Sequence, residues 1–160
     1  MPQNPFTKPA NRILISPANA LVAEFEVGAN ATAAEMIPGA VVINDTNAQD
    51  VKESGDEPHV VVGILECAKD MLYTDAYAKG DQCPVIMGPA ICQVRLKASE
   101  NISIGDRLRA MDNGLAAELA TGVIGAQGAT IGYALEASNV AAIAYITIMF
   151  LPSVEAQTAA

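Results

Sequence analysis

The side chains best suited to nucleophilic or acid–base chemistry are a single histidine, His59, and three cysteines, Cys67, Cys83 and Cys92. A cysteine nucleophile normally needs a histidine base within reach, and His59 precedes Cys67 by only a few residues. However, Cys67 continues an apolar run, and Cys92 shares the apolar face of the alternating stretch 91–97 with Val94 and Leu96. Both positions are typical of a buried free thiol. His59 follows Gly and Pro residues that predict an exposed loop. We therefore expect no catalytic residues, although a small ligand-binding or enzymatic β-barrel that uses His59 and a cysteine stays open.

Four acidic residues offer oxygen ligands in one region of the chain: Asp45, Asp50, Asp56 and Glu57. Their spacing is not that of an EF-hand, so a solvated acidic surface is the main interpretation and a weak cation site is the alternative. The glycine-rich stretch 122–132 lacks the lysine and Ser/Thr of a phosphate-binding loop. The sequence therefore predicts no bound metal and no cofactor.

Charge and hydropathy exclude two classes of partner. The net charge is −9 with only 9 basic residues, which are not clustered, so we expect no direct contact with nucleic acid. The longest apolar run, residues 140–151, is too short to cross a bilayer as a helix, which needs about 20 residues. No membrane contact is expected either.

Short apolar segments between turns predict an all-β fold, a compact small β-barrel or sandwich with at most one or two short helices. Several segments alternate apolar and polar residues, and Asp112-Asn113-Gly114 favours a tight turn with positive φ. Helix is expected at most in the ranges 31–36 and 68–78. The predicted strands are Leu21–Val27, Ala40–Asn44, Val60–Cys67, Val85–Met87, Ile91–Lys97, Arg107–Met111, Ile131–Ala137 and Ala142–Leu151.

The N-terminal segment contains four prolines in residues 1–20, which disfavour helix and central strand. We interpret it as an extended arm that binds a neighbouring subunit through apolar anchors, namely Phe6, Ile13, Leu14 and Ile15. The alternative is a disordered tail followed by a short strand at residues 12–16. A single β domain is predicted for residues 21–152, and a flexible tail for residues 153–160.

Two stretches of the predicted domain are similar to each other, about 36–67 and 102–137. Each reads as a turn glycine, a strand, a loop with Asp, and a strand that begins with an apolar residue and Gly and ends with Leu-Glu. This pattern predicts two similar β units, with chance similarity of glycine-punctuated strands as the alternative. The last strand is apolar on both faces, so it is either a central strand or part of an oligomer face that includes Tyr145 and Phe150.

Short motifs follow one another from about Gly80 onward. They are Lys79-Gly80-Asp81, the strand before Ile102-Ser103-Ile104-Gly105-Asp106, Asp112-Asn113-Gly114, and Ile131-Gly132-Tyr133-Ala134-Leu135-Glu136, followed by an apolar terminal strand. This order resembles the small capsid decoration (cement, or head-stabilising) proteins of phages. The resemblance implies a β-tulip-like domain with no enzymatic activity. It also implies a protein made in the host cytoplasm that binds the outer surface of an icosahedral shell as a homotrimer.

The partners that the resemblance implies are the major capsid protein and further copies of the chain. A protein that binds only the assembled lattice stabilises it by mass action, by about 2.7 kcal/mol per site at a hundredfold excess over Kd. Another phage structural β module, from a tail, a baseplate or a head fibre, is the alternative.

Overall fold

The computed structural model describes residues 13–16, 20–56, 60–119 and 130–151. Within these ranges the chain forms thirteen strands and two short 3-10 turns, at Ala33–Glu35 and Asp112–Gly114. The strands are β1 (Leu14–Ser16), β2 (Val22–Val27), β3 (Val41–Asn44), β4 (Asp50–Glu53), β5 (Val61–Leu65), β6 (Gln82–Ile86), β7 (Ala90–Leu96), β8 (Asn101–Ile102), β9 (Arg107–Ala110), β10 (Ala116–Glu118), β11 (Thr130–Ala134), β12 (Ser138–Asn139) and β13 (Ala144–Phe150).

Five strands of the first half close into a barrel, here called the N-barrel. Its ring order is β2-β4-β3-β5-β6, and the antiparallel pairing of β2 with β6 closes it. The pleat sends alternate side chains inward, so each strand contributes apolar residues to a common interior. That interior is lined by Val27, Met36, Val42, Val51, Leu65, Tyr77, Cys83 and Val85.

Five strands of the second half form the C-barrel, with ring order β7-β10-β9-β11-β13. Antiparallel pairing of β13 with β7, from Ala144↔Leu96 to Phe150↔Ala90, closes the ring. Strand β13 thus lies between β7 and β11, as its two apolar faces predicted for a central strand. The all-β prediction is confirmed, with two small barrels in place of one barrel or sandwich.

The two barrels share one strand order. In chain order, the five strands of the N-barrel (β2, β3, β4, β5 and β6) correspond to the five strands of the C-barrel (β7, β9, β10, β11 and β13). In each ring the first and third of these strands pair in parallel, and all other neighbouring strands pair antiparallel. The two similar stretches of sequence each cover the three middle strands of one barrel. Residues 36–67 hold β3 to β5, and residues 102–137 hold β9 to β11.

The two ranges considered for helix contain little of it. Residues 31–36 form one 3-10 turn, and residues 68–78 form turns closed by side chains. The Tyr77 hydroxyl accepts from the Ala68 N–H at 2.8 Å and donates to the Glu66 carbonyl at 2.8 Å. These bonds to a buried tyrosine hold the segment in a compact loop against the N-barrel, although its Ala and Lys content favours helix.

Strand β1 lies inside the range predicted to be an arm, yet it is part of the domain. It pairs antiparallel with β7 (Leu14↔Cys92), and the Gln93 N–H donates to the Ile13 carbonyl at 2.8 Å. The sheet therefore begins before the boundary placed at residue 20. The short strand at residues 12–16, which was the alternative interpretation, is observed at Leu14–Ser16.

Hydrogen bonds at two places join the barrels. The buried Ser54 hydroxyl, which follows β4, donates to the Met111 carbonyl at 2.7 Å. Beside it, Arg109 of β9 forms an ion pair with Asp56 at 3.0 Å. At the second place the Arg95 N–H donates to the Gly39 carbonyl at 2.9 Å. The main apolar core also contains side chains of both barrels, so the two pack as one unit.

Candidate functional site

The three cysteines are buried free thiols in different parts of the molecule. Cys83 lies in the N-barrel interior, while Cys67 and Cys92 belong to the main core. Burial, with a smaller contribution from nearby carboxylates, raises the pKa of Cys83 to about 12 and that of Cys92 further. A thiol must be deprotonated to act as a nucleophile, so none of these environments activates it. His59 and Glu57 lie outside the described residues.

The acidic region is held by hydrogen bonds within the protein. The Asp45 carboxylate is 1% exposed and accepts from the Asn30 N–H at 3.0 Å, from Asn30 Nδ2 at 2.9 Å and from Lys52. Asp50 accepts from Asn47 at 2.7 Å, and Asp56 pairs with Arg109. Among the described residues, no three His, Cys, Asp or Glu side chains lie close enough together to hold a metal ion.

The residues predicted to anchor an arm have different environments. Ile13 and Leu14 are buried at 1% and 5% exposure, and Ile15 is half-buried. The Ile13 N–H donates to Glu66 Oε1 at 3.1 Å, which ties the start of β1 to the end of the N-barrel. Ile13 and Leu14 therefore pack in the core of their own chain, where they are not available to a neighbouring subunit. Phe6 lies outside the described residues.

The two residues predicted for an oligomer face are on opposite faces of β13. Phe150 is fully buried in the C-barrel core, so it cannot contribute to a surface contact. Tyr145 is half-buried, and its hydroxyl contacts the carbonyls of Pro38 at 2.8 Å and Tyr73 at 3.0 Å. On the Tyr145 side of the strand, Tyr145 and Met149 are half-buried and Thr147 between them is fully buried.

One exposed aromatic side chain, Tyr73, packs against Tyr145. The Tyr73 ring packs edge-on against the Tyr145 ring, with centroids 5.6 Å apart, and Tyr73 is itself 44% exposed. Leu72, next to Tyr73 in the sequence, and Ile143, two residues before Tyr145, are also exposed. We call Leu72, Tyr73, Ile143 and Tyr145 the tyrosine patch. Its signal in the sequence is the apolar triplet at 71–73, which lies in the range 68–78 that was considered for helix.

Sequence analysis also missed the polar residues that lie between the barrels. Gln93 and Arg95 alternate with apolar residues along β7, a pattern that predicts a solvent-facing side, yet both are buried. Arg95 donates to the Glu35 carbonyl at 3.1 Å and lies 3.5 Å from its carboxylate. The N-barrel covers this outer face of the C-barrel, and nothing in the local pattern of β7 encodes that contact.

The described fold is a tandem of two closed five-stranded β-barrels with one strand order. It is similar to a solved structure whose title is "The crystal structure of head fiber gp8.5 N base in bacteriophage phi29". The TM-score is 0.51 at 19% sequence identity, over 83% of this chain and 97% of that one. At this identity the similarity shows the fold alone.

Two further comparisons found no relative: no protein-family model matches the chain, and no curated protein matches it. In the part of the chain that the structure describes, no helix is long and apolar enough to span a membrane.

Proposed function

We propose that the chain is a non-enzymatic structural module of a phage particle, of the head-fibre-base type, that binds the outer surface of the icosahedral shell. The observation that carries this proposal is the extent of the fold similarity. It covers 83% of this chain, which is more than either barrel provides alone, and 97% of the head-fibre base, so it involves both barrels and not one common small barrel. The motif resemblance from Gly80 onward supports a phage head protein independently of the fold.

The described side chains support a binding role over catalysis. The thiols are buried with raised pKa values, and the carboxylates are occupied by hydrogen bonds within the chain. Large apolar side chains are exposed instead, including the tyrosine patch. Exposed apolar groups that lie together are typical of protein–protein contacts. On this proposal the partners are the major capsid protein and further copies of the chain, with a homotrimer as the expected oligomer.

A second candidate is a decoration protein that braces neighbouring shell subunits, which the sequence motifs favour. The two candidates differ in copy number. A decoration protein is expected at a copy number comparable to that of the major shell protein, whereas an appendage base is expected at far fewer copies. Counting copies per particle therefore separates the two.

The test uses purified particles of the source phage. We expect quantitative mass spectrometry to find the protein in the particles and immunogold electron microscopy to label the head, with particles from a strain deleted for the gene as the control. Label on the tail or baseplate would replace the head assignment with the other structural alternative. Absence of the protein from particles would overturn the proposal.

Self-association through the tyrosine patch has a separate test. Tyr73→Ser removes an exposed ring, so the oligomer should dissociate at concentrations where the wild type remains associated, as measured by analytical ultracentrifugation. Val60→Ser is the matched control, because Val60 is 60% exposed and lies outside the tyrosine patch. Equal effects of the two substitutions would contradict a role for this patch.

A further inference from the structure

Three side chains between the barrels each carry a buried polar atom without a hydrogen-bond partner among the described residues. The atoms are Glu66 Oε2, Gln93 Nε2 and Thr147 Oγ1. The residues are 7%, 4% and 0% exposed, so bulk water does not solvate them. Buried polar groups in folded proteins are almost always paired with protein or with ordered water. These three atoms therefore indicate a partner that the side chains around them do not supply.

Two of these residues are direct neighbours. Gln93 of β7 and Thr147 of β13 are cross-strand partners in the antiparallel register, so their side chains leave the sheet side by side on the same face. The opposite face carries Val94, Ile146 and Ile148 in the C-barrel core. Gln93 and Thr147 therefore face outward, toward the N-barrel that covers this side.

Glu66 reaches the same region from the N-barrel, where it follows β5. Its Oε1 atom accepts from the N–H groups of Ile13, at 3.1 Å, and Cys67, at 3.0 Å. The carbonyl of Ile13 in turn accepts from the Gln93 N–H at 2.8 Å. Ile13, which directly precedes β1, therefore links the Glu66 carboxylate to the backbone of Gln93. The second carboxylate oxygen of Glu66, Oε2, is the third atom without a partner.

The hydrogen-bonding capacities of the three atoms are complementary to one small neutral molecule. An ionised Glu66 Oε2 only accepts, Gln93 Nε2 only donates, and the Thr147 hydroxyl does either. We propose that an internal water molecule binds here, accepting from Gln93 Nε2 and donating to Glu66 Oε2 and Thr147 Oγ1. Three hydrogen bonds are the usual number for a buried water.

Water fits the site better than an ion does. Only one of the three side chains carries a charge, and a single carboxylate oxygen with an amide donor does not form the oxygen cage that Ca²⁺ or Mg²⁺ requires. An amide N–H donor also repels a cation. The water would join Glu66, at the end of the N-barrel strand β5, to Gln93 and Thr147 of the C-barrel. It would therefore help to fix the N-barrel on the outer face of β7 and β13.

The primary test is a crystal structure of the isolated protein at a resolution that shows ordered solvent. We expect one density peak within hydrogen-bond distance of all three atoms, with no anomalous signal. Three outcomes would overturn the proposal: no density at the site, a direct hydrogen bond between the Gln93 amide and the Glu66 carboxylate, or an anomalous peak from a cation. The test needs no phage particle, so its outcome is independent of the proposed function.

A second test uses thermal unfolding. Thr147→Val keeps the shape of the side chain and removes the hydroxyl. If a water bridges the three side chains, this change should lower Tm. Its effect should also be non-additive with that of Gln93→Leu, because both substitutions remove a hydrogen-bond partner of the same water molecule. If Oγ1 is instead buried and unpaired, the same change should raise Tm, because an unsatisfied polar atom is removed. A higher Tm for Thr147→Val, or additive effects, would contradict the proposal. Ile146→Val, on the opposite face of β13, is the control and should be additive with Gln93→Leu.

Discussion

At the residue scale, the polar side chains of this protein mainly hold its own loops. Among the described carboxylates that were considered as metal ligands, Asp45 accepts hydrogen bonds from Asn30 and Asp50 accepts one from Asn47, while Asp56 pairs with Arg109. The buried Tyr77 closes the long loop between β5 and β6 in the same way. In this charge-poor chain, Asp45 and Tyr77 thus help to define loop conformations.

The contribution of Asp45 to stability should depend on pH. Burial acts to raise the pKa of Asp45, but hydrogen bonds from Asn30 and the charge of Lys52 outweigh it, so the pKa lies below the ordinary value of 3.8. Because the folded-state pKa is depressed, the stabilisation is complete above the unfolded value and is lost as pH falls through the lower folded value. We expect Asp45→Asn to reduce the free energy of unfolding by about 2 kcal/mol at neutral pH, since bonds to a charged group are lost.

Urea unfolding of wild type and Asp45→Asn across the acid range measures this effect. The difference between the two proteins should shrink only below pH 3.8. Asp70→Asn makes the same charge change at an exposed turn and should leave stability nearly unchanged. A constant difference down to the most acidic conditions would contradict the assigned role of the Asp45 carboxylate.

At the element scale, one glycine in each barrel allows two strands to lie close together. Gly63 of β5 faces Ile86 of β6, and Gly132 of β11 faces Met149 of β13, which are corresponding strand pairs in the two rings. A Cβ atom at either glycine would overlap the carbonyl oxygen of the facing residue. The repeated apolar-Gly motif thus has a physical reason, which is room for the backbone where each barrel closes.

Alanine at Gly63 or Gly132 should therefore destabilise the protein strongly, by about 3 kcal/mol, because the obstructing atom belongs to the backbone of a closed ring. Gly80→Ala provides the comparison. No atom lies within 4 Å of a Cβ built on Gly80, so an alanine there meets no obstruction. The Gly80→Ala substitution should lower the free energy of unfolding by about 1 kcal/mol, because alanine disfavours the left-handed backbone at φ +85°. Chemical denaturation measures the loss of stability for each of the three alanine variants. Equal losses would show that the apolar-Gly motif is not needed for the close approach of the strands.

Much of the sheet was predictable from the sequence, because its strands carry large β-branched residues between clear turns. Asn113 and Gly114 take the positive φ values that the turn motif predicted. Strand β4 was missed because Asp50, Lys52 and Glu53 leave one apolar residue in four. Strand β10 was missed because two alanines give no alternation. The environment of Gln93 was not predictable locally, because it depends on which barrel face the other barrel covers.

At the scale of the whole molecule, the arm prediction now concerns residues 1–12. Deleting residues 1–16 would also remove Ile13 and Leu14 from the core, where the burial of each contributes about 2 kcal/mol. A loss of shell binding by that variant could then come from unfolding and not from loss of the arm. Deleting residues 1–12 leaves both in place. We expect this shorter deletion to keep the wild-type melting temperature and to weaken co-sedimentation with purified phage shells.

The longer deletion is the control for core loss, and it should melt at a lower temperature. If the protein without residues 1–12 still co-sediments at full strength, the arm has no part in shell binding, and the contact must come from the surface of the barrels.

The order of the strands has a consequence for synthesis on the ribosome. All N-barrel strands lie between residues 22 and 86, and all C-barrel strands between 90 and 150, so the first barrel is complete in sequence before the second begins. Nascent domains generally fold in that order. Strand β1 is the exception, because it is translated first but pairs with β7. The nascent chain must therefore carry Leu14 without its partner strand until the whole N-barrel has been translated. The first of the described strands to be made is thus among the last to be fixed.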